Sequence, residues 1–271
     1  MMDQLAKQIF DTFISFFKLP ETTIPLMLIA LGIAIIFGAI WLACYLPPLF
    51  KQAWLWVIMV ASIFSAVVFT AFLQLPLQYL STQICNEFLS QQNIQTYMLA
   101  ISVPAMIIAG LVQVGAKLLP VVIFWLLNKK NMDPKTGLMF GAVAGAGFGV
   151  IEAFQVHGQA FAMGWTISVI QTGGFFAFLP FIERFFTIGF HTAALALAGY
   201  GLAKGKGWQF YLIAAALYTI MNYSMVLMAT NIIALIHVEI IILVMAILTA
   251  TAALWLRWAK PKTLGEMQLT K

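Results

Sequence analysis

Charged residues are scarce in this chain. Only 8% of its 271 residues are Asp, Glu, Lys or Arg, whereas 63% are hydrophobic, and the mean hydropathy is +0.98. Water-soluble domains carry about 25% charged residues, so this composition excludes an ordinary soluble domain. No polar stretch is long enough to fold separately. We therefore expect one integral membrane domain over residues 1–271.

Cysteine and histidine are almost absent as well. Of the two cysteines, Cys44 lies at the end of the first apolar run and Cys85 in the gap after the second. The topology derived below places them on opposite sides of the bilayer, which argues against a disulfide. The three histidines show no H-E-x-x-H spacing. Any zinc site would therefore have to be assembled from different helices.

Long apolar runs alternate with short polar gaps through the whole chain. A hydrocarbon core about 30 Å thick requires roughly 20 helical residues. The first run is too long for a signal-peptide core, and no clear small-residue cleavage site follows it, so we interpret it as a span. The pattern predicts an all-α, polytopic transmembrane helix bundle with seven spans, at 23–46, 53–75, 98–127, 137–156, 181–202, 208–230 and 232–256.

The distribution of lysine and arginine predicts the orientation of these spans. The second, fourth and sixth gaps contain neither residue. The other gaps and the tail at 257–271 contain Lys51, Lys129, Lys130, Lys135, Lys204, Lys206, Arg257, Lys260, Lys262 and Lys271. The positive-inside rule then places the N-terminus outside and the tail in the cytoplasm of a cell membrane. Because topology accounts for these charges, we expect the lipid bilayer, and not nucleic acid, as the partner of this basic chain.

Two segments are expected to lie at the membrane surface or to enter it only partly. Residues 1–20 combine mixed charge with helical apolar spacing, which predicts an amphipathic interfacial helix. Residues 158–180 are apolar and long enough to span. A crossing there would move the later basic residues outside, so we expect an interfacial or re-entrant segment packed against the bundle.

Several ionisable residues lie inside the predicted spans, where charge is costly and therefore a functional hypothesis by default. Arg184 and His191 are seven residues apart and share a helical face. Glu152 lies one turn beyond a G-x-x-x-G-x-x-x-G stripe at 141–149, which allows a neighbouring helix to approach closely. We therefore expect Glu152 to point into the bundle.

Measured from the cytoplasmic ends of their spans, five polar residues lie about 15–22 Å deep at 1.5 Å per residue. They are Lys117, His191, Glu152, Asn222 and Gln113. Gln113 shares a face with Lys117, and Tyr218 shares one with Asn222, because each pair is four residues apart. This convergence predicts a buried polar site.

Other interpretations of the charged residues remain open from sequence. The acids Glu152 and Glu183 and the bases Lys117 and Arg184 would neutralise one another if their role were to fix helix register. Glu183 lies near the outer end of its span, where we expect its side chain to extend to the interface. We expect His157 to be solvated at a helix end. His237 and Glu239 cannot share a helical face and are given a secondary place.

The segments LVQVGAKLLPVV, GAVAGAGFGVIEAF, ERFFTIGFHTAALALAGYGLAKGK and LYTIMNYSMV occur in this order within residues 105–230. Together they resemble the PrsW and YhfC families of intramembrane peptidases, distant relatives of the CAAX prenyl proteases. The resemblance implies a peptidase-like core in which Lys117, Glu152, His191 and Asn222 match family positions. The family's paired glutamates, however, align with Gln113 and Val114, and its last histidine aligns with Tyr218.

The resemblance implies an intramembrane peptidase that cleaves a membrane protein or peptide, with catalytic residues Glu152, His191, Asn222, Tyr218, Lys117 and Arg184. Zinc would be its possible cofactor, with His191 and Glu152 as ligands, although that ligand set is small for zinc. Peptide hydrolysis needs a base for water and a stabiliser for the oxyanion. The first alternative is an inactive relative that binds transmembrane segments or lipid as a scaffold. The second is a small transporter with a Lys/Glu/His relay.

Overall fold

A computed structural model describes the backbone of residues 2–259 and the side chains of residues 5–259. Most of the predicted tail at 257–271 lies outside this range. The described part is helical and contains no strand. Its helices are α1 (Met2–Ser15), α2 (Ile24–Ala43), α3 (Ala53–Phe69), α4 (Leu75–Phe88), α5 (Gln91–Thr96), α6 (Met98–Leu127), α7 (Pro134–Ala162), α8 (Ile167–Gly173), α9 (Leu179–Ala203), α10 (Gly207–Ala229) and α11 (Leu235–Trp258).

Seven helical segments are long and apolar enough to cross a membrane, which confirms the predicted all-α polytopic bundle. A π-helical turn at Thr70–Gln74 joins α3 to α4, so the second segment is longer than predicted. The region 158–180 is not an additional span. Its first residues complete α7, and the rest forms α8 and a 3₁₀ turn, Gly174–Phe178, that leads directly into α9.

The most extensive helix contact in the bundle joins α7 to α9. Gly141 and Gly145 on α7 lie directly against the backbone of α9, where an added Cβ would overlap the carbonyl oxygens of Leu195 and His191. Such close approach is the usual role of small residues spaced four apart in membrane helices. The pairing is important for the site because it fixes Glu152, on α7, relative to Arg184 and His191 on α9.

The helix predicted over residues 1–20 is shorter in the structure, where α1 spans Met2–Ser15, and it packs partly against the bundle. The Phe13 ring lies 5.4 Å from the Phe72 ring, and the amide of Gln155 donates to the carbonyls of Phe16 and Lys18, each at 3.2 Å. Part of the apolar face of α1 therefore contacts protein, while Phe10 on the same helix stays exposed. Such an arrangement is suited to the edge of a bilayer.

Asp133 caps α7, and its removal gives the first testable prediction. Its carboxylate accepts hydrogen bonds from the backbone N–H groups of Lys135, at 3.0 Å, and Thr136, at 3.1 Å, and from the Thr136 hydroxyl. Asp133→Ala should lower the free energy of unfolding by about 0.5–2 kcal/mol. Asp133→Asn keeps an acceptor oxygen and should cost less. Thermal unfolding in detergent measures the difference, and equal losses in the two variants would contradict the capping role.

The same cap should be sensitive to acid. Burial raises the pKa of Asp133, but hydrogen bonds from Thr136 and Lys135 outweigh it and hold the pKa below its ordinary value. A pKa lower in the folded than in the unfolded chain stabilises the fold above the unfolded pKa of about 3.9. That contribution is lost as the pH falls through the folded value.

Candidate functional site

A cavity of about 310 Å³ lies among α7, α9, α10 and α11. Its volume is at the lower end of the range of about 300–1,000 Å³ found for small-molecule sites. Apolar residues of α10 and α11 form part of its wall. Its polar lining comes from all four helices and comprises Glu152, Glu183, Arg184, Thr187, His191, Tyr218, Asn222 and Glu239.

Glu152 is the centre of this polar lining. Its Oε2 lies 3.1 Å from Nη1 of Arg184 and 3.2 Å from Nε2 of His191. The side chain nevertheless keeps 32% of its surface accessible, against 14% for Arg184. Among the described residues we find no hydrogen-bond partner for Oε1. The carboxylate is thus oriented through one oxygen while the other is available to the cavity.

Arg184 is shared between two carboxylates. Its Nε donates to Oε2 of Glu183 at 2.7 Å, its Nη2 donates to Oε1 of the same residue, and its Nη1 contacts Glu152. The Thr187 hydroxyl also donates to Glu183, at 3.1 Å. The expectation that Glu183 extends to the interface was therefore wrong, because Arg184 and Thr187 provide partners inside the protein. The positive charge of Arg184 is neutralised within the cluster.

Lys117 is fully buried next to the cavity. Its Nζ lies 3.6 Å from the centroid of the Phe148 ring and 4.6 Å from that of Tyr218, within cation–π distance of both. Among the described residues the amine has no hydrogen-bond partner. Tyr218 also packs on His191, with ring centroids 5.5 Å apart, and it lines the cavity, whereas Lys117 does not.

The structure does not place Gln113 in the cavity. Its amide donates to the Thr70 hydroxyl and, at 2.9 Å, to Oε1 of Gln74. The π-helical turn that contains Thr70 and Gln74 brings these groups against α6 and supplies partners on that side. Of the five residues predicted to form one layer, Glu152, His191 and Asn222 line the cavity. Lys117 is buried against the ring of Tyr218, and Gln113 bonds to Thr70 and Gln74.

His157 is buried, and the prediction of a solvated residue was wrong because α7 continues to Ala162. The imidazole stacks on Phe181, with ring centroids 4.8 Å apart, and its Nδ1 lies 3.5 Å from the Ala30 carbonyl. Its Nε2 has no partner among the described residues. His157 does not line the cavity.

His157→Phe should therefore preserve or slightly increase stability. Phenylalanine keeps a ring against Phe181 and removes a buried nitrogen that lacks a partner, and such an unsatisfied polar group costs about 1–3 kcal/mol. Thermal unfolding in detergent tests this expectation. A loss of stability comparable to that of His157→Ala would show that the imidazole nitrogens make a bond that the fold requires.

Thr187 is a cavity residue that the sequence interpretation had not included, and Glu239, which it had given only a secondary place, also lines the cavity. Glu239 lies three residues before Ile242 and seven before Ala246, both of which are buried. This helical spacing was a usable signal that Glu239 borders the buried face of α11. His237 has a local role instead, since its Nδ1 accepts from the Ala234 N–H at 3.2 Å at the start of the helix.

The polar lining does not fit zinc well. His191 and Glu152 would supply two ligands, whereas catalytic zinc sites use three protein ligands. Oε2 of Glu152, which lies next to His191, also forms an ion pair with the Arg184 guanidinium. Within residues 5–259 no group of three or more His, Cys, Asp or Glu side chains is arranged to hold a metal ion. We therefore derive no chemical step through a metal.

Fold and site together define the class of the molecule, a multi-pass helical membrane protein with a polar cavity between its helices. Comparisons with protein-family models, with curated proteins and with solved structures give no match for this chain. The resemblance to PrsW and YhfC peptidases stays a prediction.

Proposed function

We propose that the chain is an intramembrane peptidase, in which Glu152 activates water to hydrolyse a membrane-associated polypeptide. The observation that carries this proposal is the geometry of Glu152. Arg184 and His191 hold its carboxylate through one oxygen, and the accessible part of the side chain lines the 310 Å³ cavity. A general base needs both a fixed orientation and access to the proton that it removes.

The chemical steps follow from this arrangement. Glu152 takes a proton from a cavity water as the water oxygen attacks the peptide carbonyl carbon. Glu152 then gives that proton to the leaving nitrogen as the C–N bond breaks, so that the products are a carboxylic acid and an amine. Arg184 and His191 keep Glu152 in position. In the cavity lining, the Tyr218 hydroxyl suits the orientation of the attacking water, and the amide of Asn222 is a neutral donor that suits the developing oxyanion.

The substrate in this proposal is a membrane protein or peptide that reaches the cavity from the outer side of a cell membrane. Met225 and Leu235 line the cavity and are 47% and 50% exposed, so they mark its opening. Both lie near the turn between α10 and α11. The predicted orientation, with the N-terminus outside and the tail in the cytoplasm, puts this turn on the outer side.

A second candidate function is binding without cleavage. Two observations favour it. Gln113, which aligns with one of the family's paired glutamates, is bonded to Thr70 and Gln74 away from the cavity. Arg184 is already neutralised by Glu152 and Glu183. A cavity of this kind would hold a transmembrane segment or lipid as a scaffold does.

One experiment separates the two functions. Purified protein in lipid nanodiscs would be incubated with transmembrane peptides that carry a fluorophore–quencher pair and a photocrosslinker, with and without a metal chelator. Cleavage that persists in chelator supports the proposed metal-independent peptidase. Crosslinking of intact peptide without cleavage supports the scaffold, and cleavage that requires metal would contradict activation of water by Glu152 alone.

A further inference from the structure

Lys117 presents an energetic problem that its surroundings do not solve. A buried lysine amine without hydrogen bonds carries a desolvation penalty whenever it is charged. The two aromatic faces, at 3.6 and 4.6 Å from Nζ, offset only part of that penalty. A buried lysine that costs stability is a functional hypothesis by default, because its charge can serve in a second arrangement of the surrounding side chains.

The two rings around Lys117 differ in their freedom to move. Phe148, on α7, does not line the cavity, and its ring also packs against His191 with centroids 5.4 Å apart. Tyr218 lines the cavity, and its ring centroid lies 4.6 Å from Nζ of Lys117. Rotation of Tyr218 into that open volume would uncover the amine without displacing a helix.

The polar lining lacks a cation that is free to act. The only basic side chains among its described residues are Arg184 and His191, and both are engaged with Glu152. Arg184 is bound to Glu183 as well. An anion that forms in the cavity would therefore have no unpaired cationic side chain of the lining to bind until Lys117 becomes accessible.

We propose that Tyr218 is a lid over Lys117, and that its ring turns aside to admit the lysine amine to the cavity as the binding group for an anionic oxygen. In the peptidase proposed above, on which this inference rests, that oxygen is the oxyanion of the tetrahedral intermediate. Lys117 is then a catalytic residue that acts only when the lid is open, and Tyr218 is the residue that controls it.

The lid can be tested without any substrate by reductive methylation of lysines in detergent-purified protein, using formaldehyde and an amine borane. Peptide mass spectrometry would follow Lys117, with exposed Lys51 as internal reference. A minor open state populated at about 0.1–10% makes Lys117 react about 10- to 1,000-fold more slowly in the wild type than in Tyr218→Ala. Tyr218→Phe keeps the ring and should protect Lys117 as the wild type does.

Met221→Ala is the matched control, because Met221 lines the same cavity from the same helix but is not over the lysine. Lys117 should stay protected in this variant. If Tyr218→Ala does not fold, Tyr218→Leu removes the ring with a smaller loss of volume. Equal reactivity of Lys117 in wild type and ring-deleted protein, or equal exposure in Met221→Ala, would overturn the lid.

The role of Lys117 in the reaction has its own readout. Lys117→Met keeps most of the side-chain volume and should lower kcat with little change in KM, because the oxyanion exists only along the reaction path. A rise in KM with unchanged kcat would contradict oxyanion binding. The methylation assay requires no catalysis, so failure of the peptidase proposal and failure of the lid give different results.

Discussion

Glu152→Gln lowers kcat/KM for cleavage of a transmembrane peptide by about 10²–10⁴-fold, which is the usual contribution of a general base. Glutamine keeps the shape of the side chain and can still contact His191, but it cannot accept a proton from water. The measurement is cleavage of a fluorogenic transmembrane peptide by protein in lipid nanodiscs. His191→Ala should reduce the rate less, because it removes a group that orients Glu152 and leaves the carboxylate in place.

Matched controls for these variants are available in the same chain. Glu87→Gln makes the same chemical change on the exposed surface of α4, and His237→Ala removes an exposed histidine at the start of α11. Both controls should cleave at the wild-type rate. Wild-type activity in folded Glu152→Gln protein would rule out Glu152 as the base, whatever the controls show.

Gly145→Ala lowers the free energy of unfolding by about 1–3 kcal/mol, the usual cost of overpacking a tight contact. The added methyl group would overlap the backbone of His191 and Thr192. Backbone atoms cannot rotate away as a flexible side chain does, so α7 and α9 must separate. Because Glu152 is on one helix and Arg184 and His191 are on the other, this variant should also lose activity. Thermal unfolding and peptide cleavage measure the two effects.

Gly32→Ala provides the comparison for Gly145. A Cβ at Gly32, on α2, has no atom within 4 Å. Alanine favours a helix interior over glycine by about 0.5–1 kcal/mol, so stability should be unchanged or higher. If the two substitutions have the same effect, the tight α7–α9 contact does not exist as described.

The fold was predictable from sequence because bilayer physics restricts the choices. Apolar length identifies helical spans directly, and each of the seven predicted spans overlaps one of the seven apolar helical segments. The ends were less predictable. α7 was expected to end at 156, whereas it continues to Ala162. Helix ends depend on local contacts such as those around Trp165, whose Nε1 donates to the Ala177 carbonyl at 2.7 Å, and hydropathy does not contain that information.

The site was predictable where two residues share one helix. Arg184 and His191 were placed on one face by their spacing, and the structure brings both to Glu152. Depth alone was less informative, since it states how far a residue lies along a span but not which neighbour it faces. Gln113 shows the difference, because its partners depend on the π-helical turn at Thr70–Gln74, which has no signal in hydropathy.

Charge partners were the least predictable part. Glu183 was expected to extend to the interface from its position near a helix end, but the neighbouring Arg184 holds it inside. Glu239 belongs to a helix whose orientation about its own axis is set by packing on α9. Sequence spacing gives the faces of each helix separately, and only the three-dimensional packing shows which faces meet.

Hydrolysis in ¹⁸O-labelled water tests the central claim most directly. Wild-type protein in nanodiscs would be incubated with a transmembrane peptide, and the products would be identified by mass spectrometry. The proposed mechanism predicts two fragments, with one ¹⁸O atom in the new carboxyl group of the N-terminal fragment and no fragments from Glu152→Gln. Recovery of intact peptide from folded wild-type protein, or equal cleavage by Glu152→Gln, would contradict a hydrolytic site at Glu152.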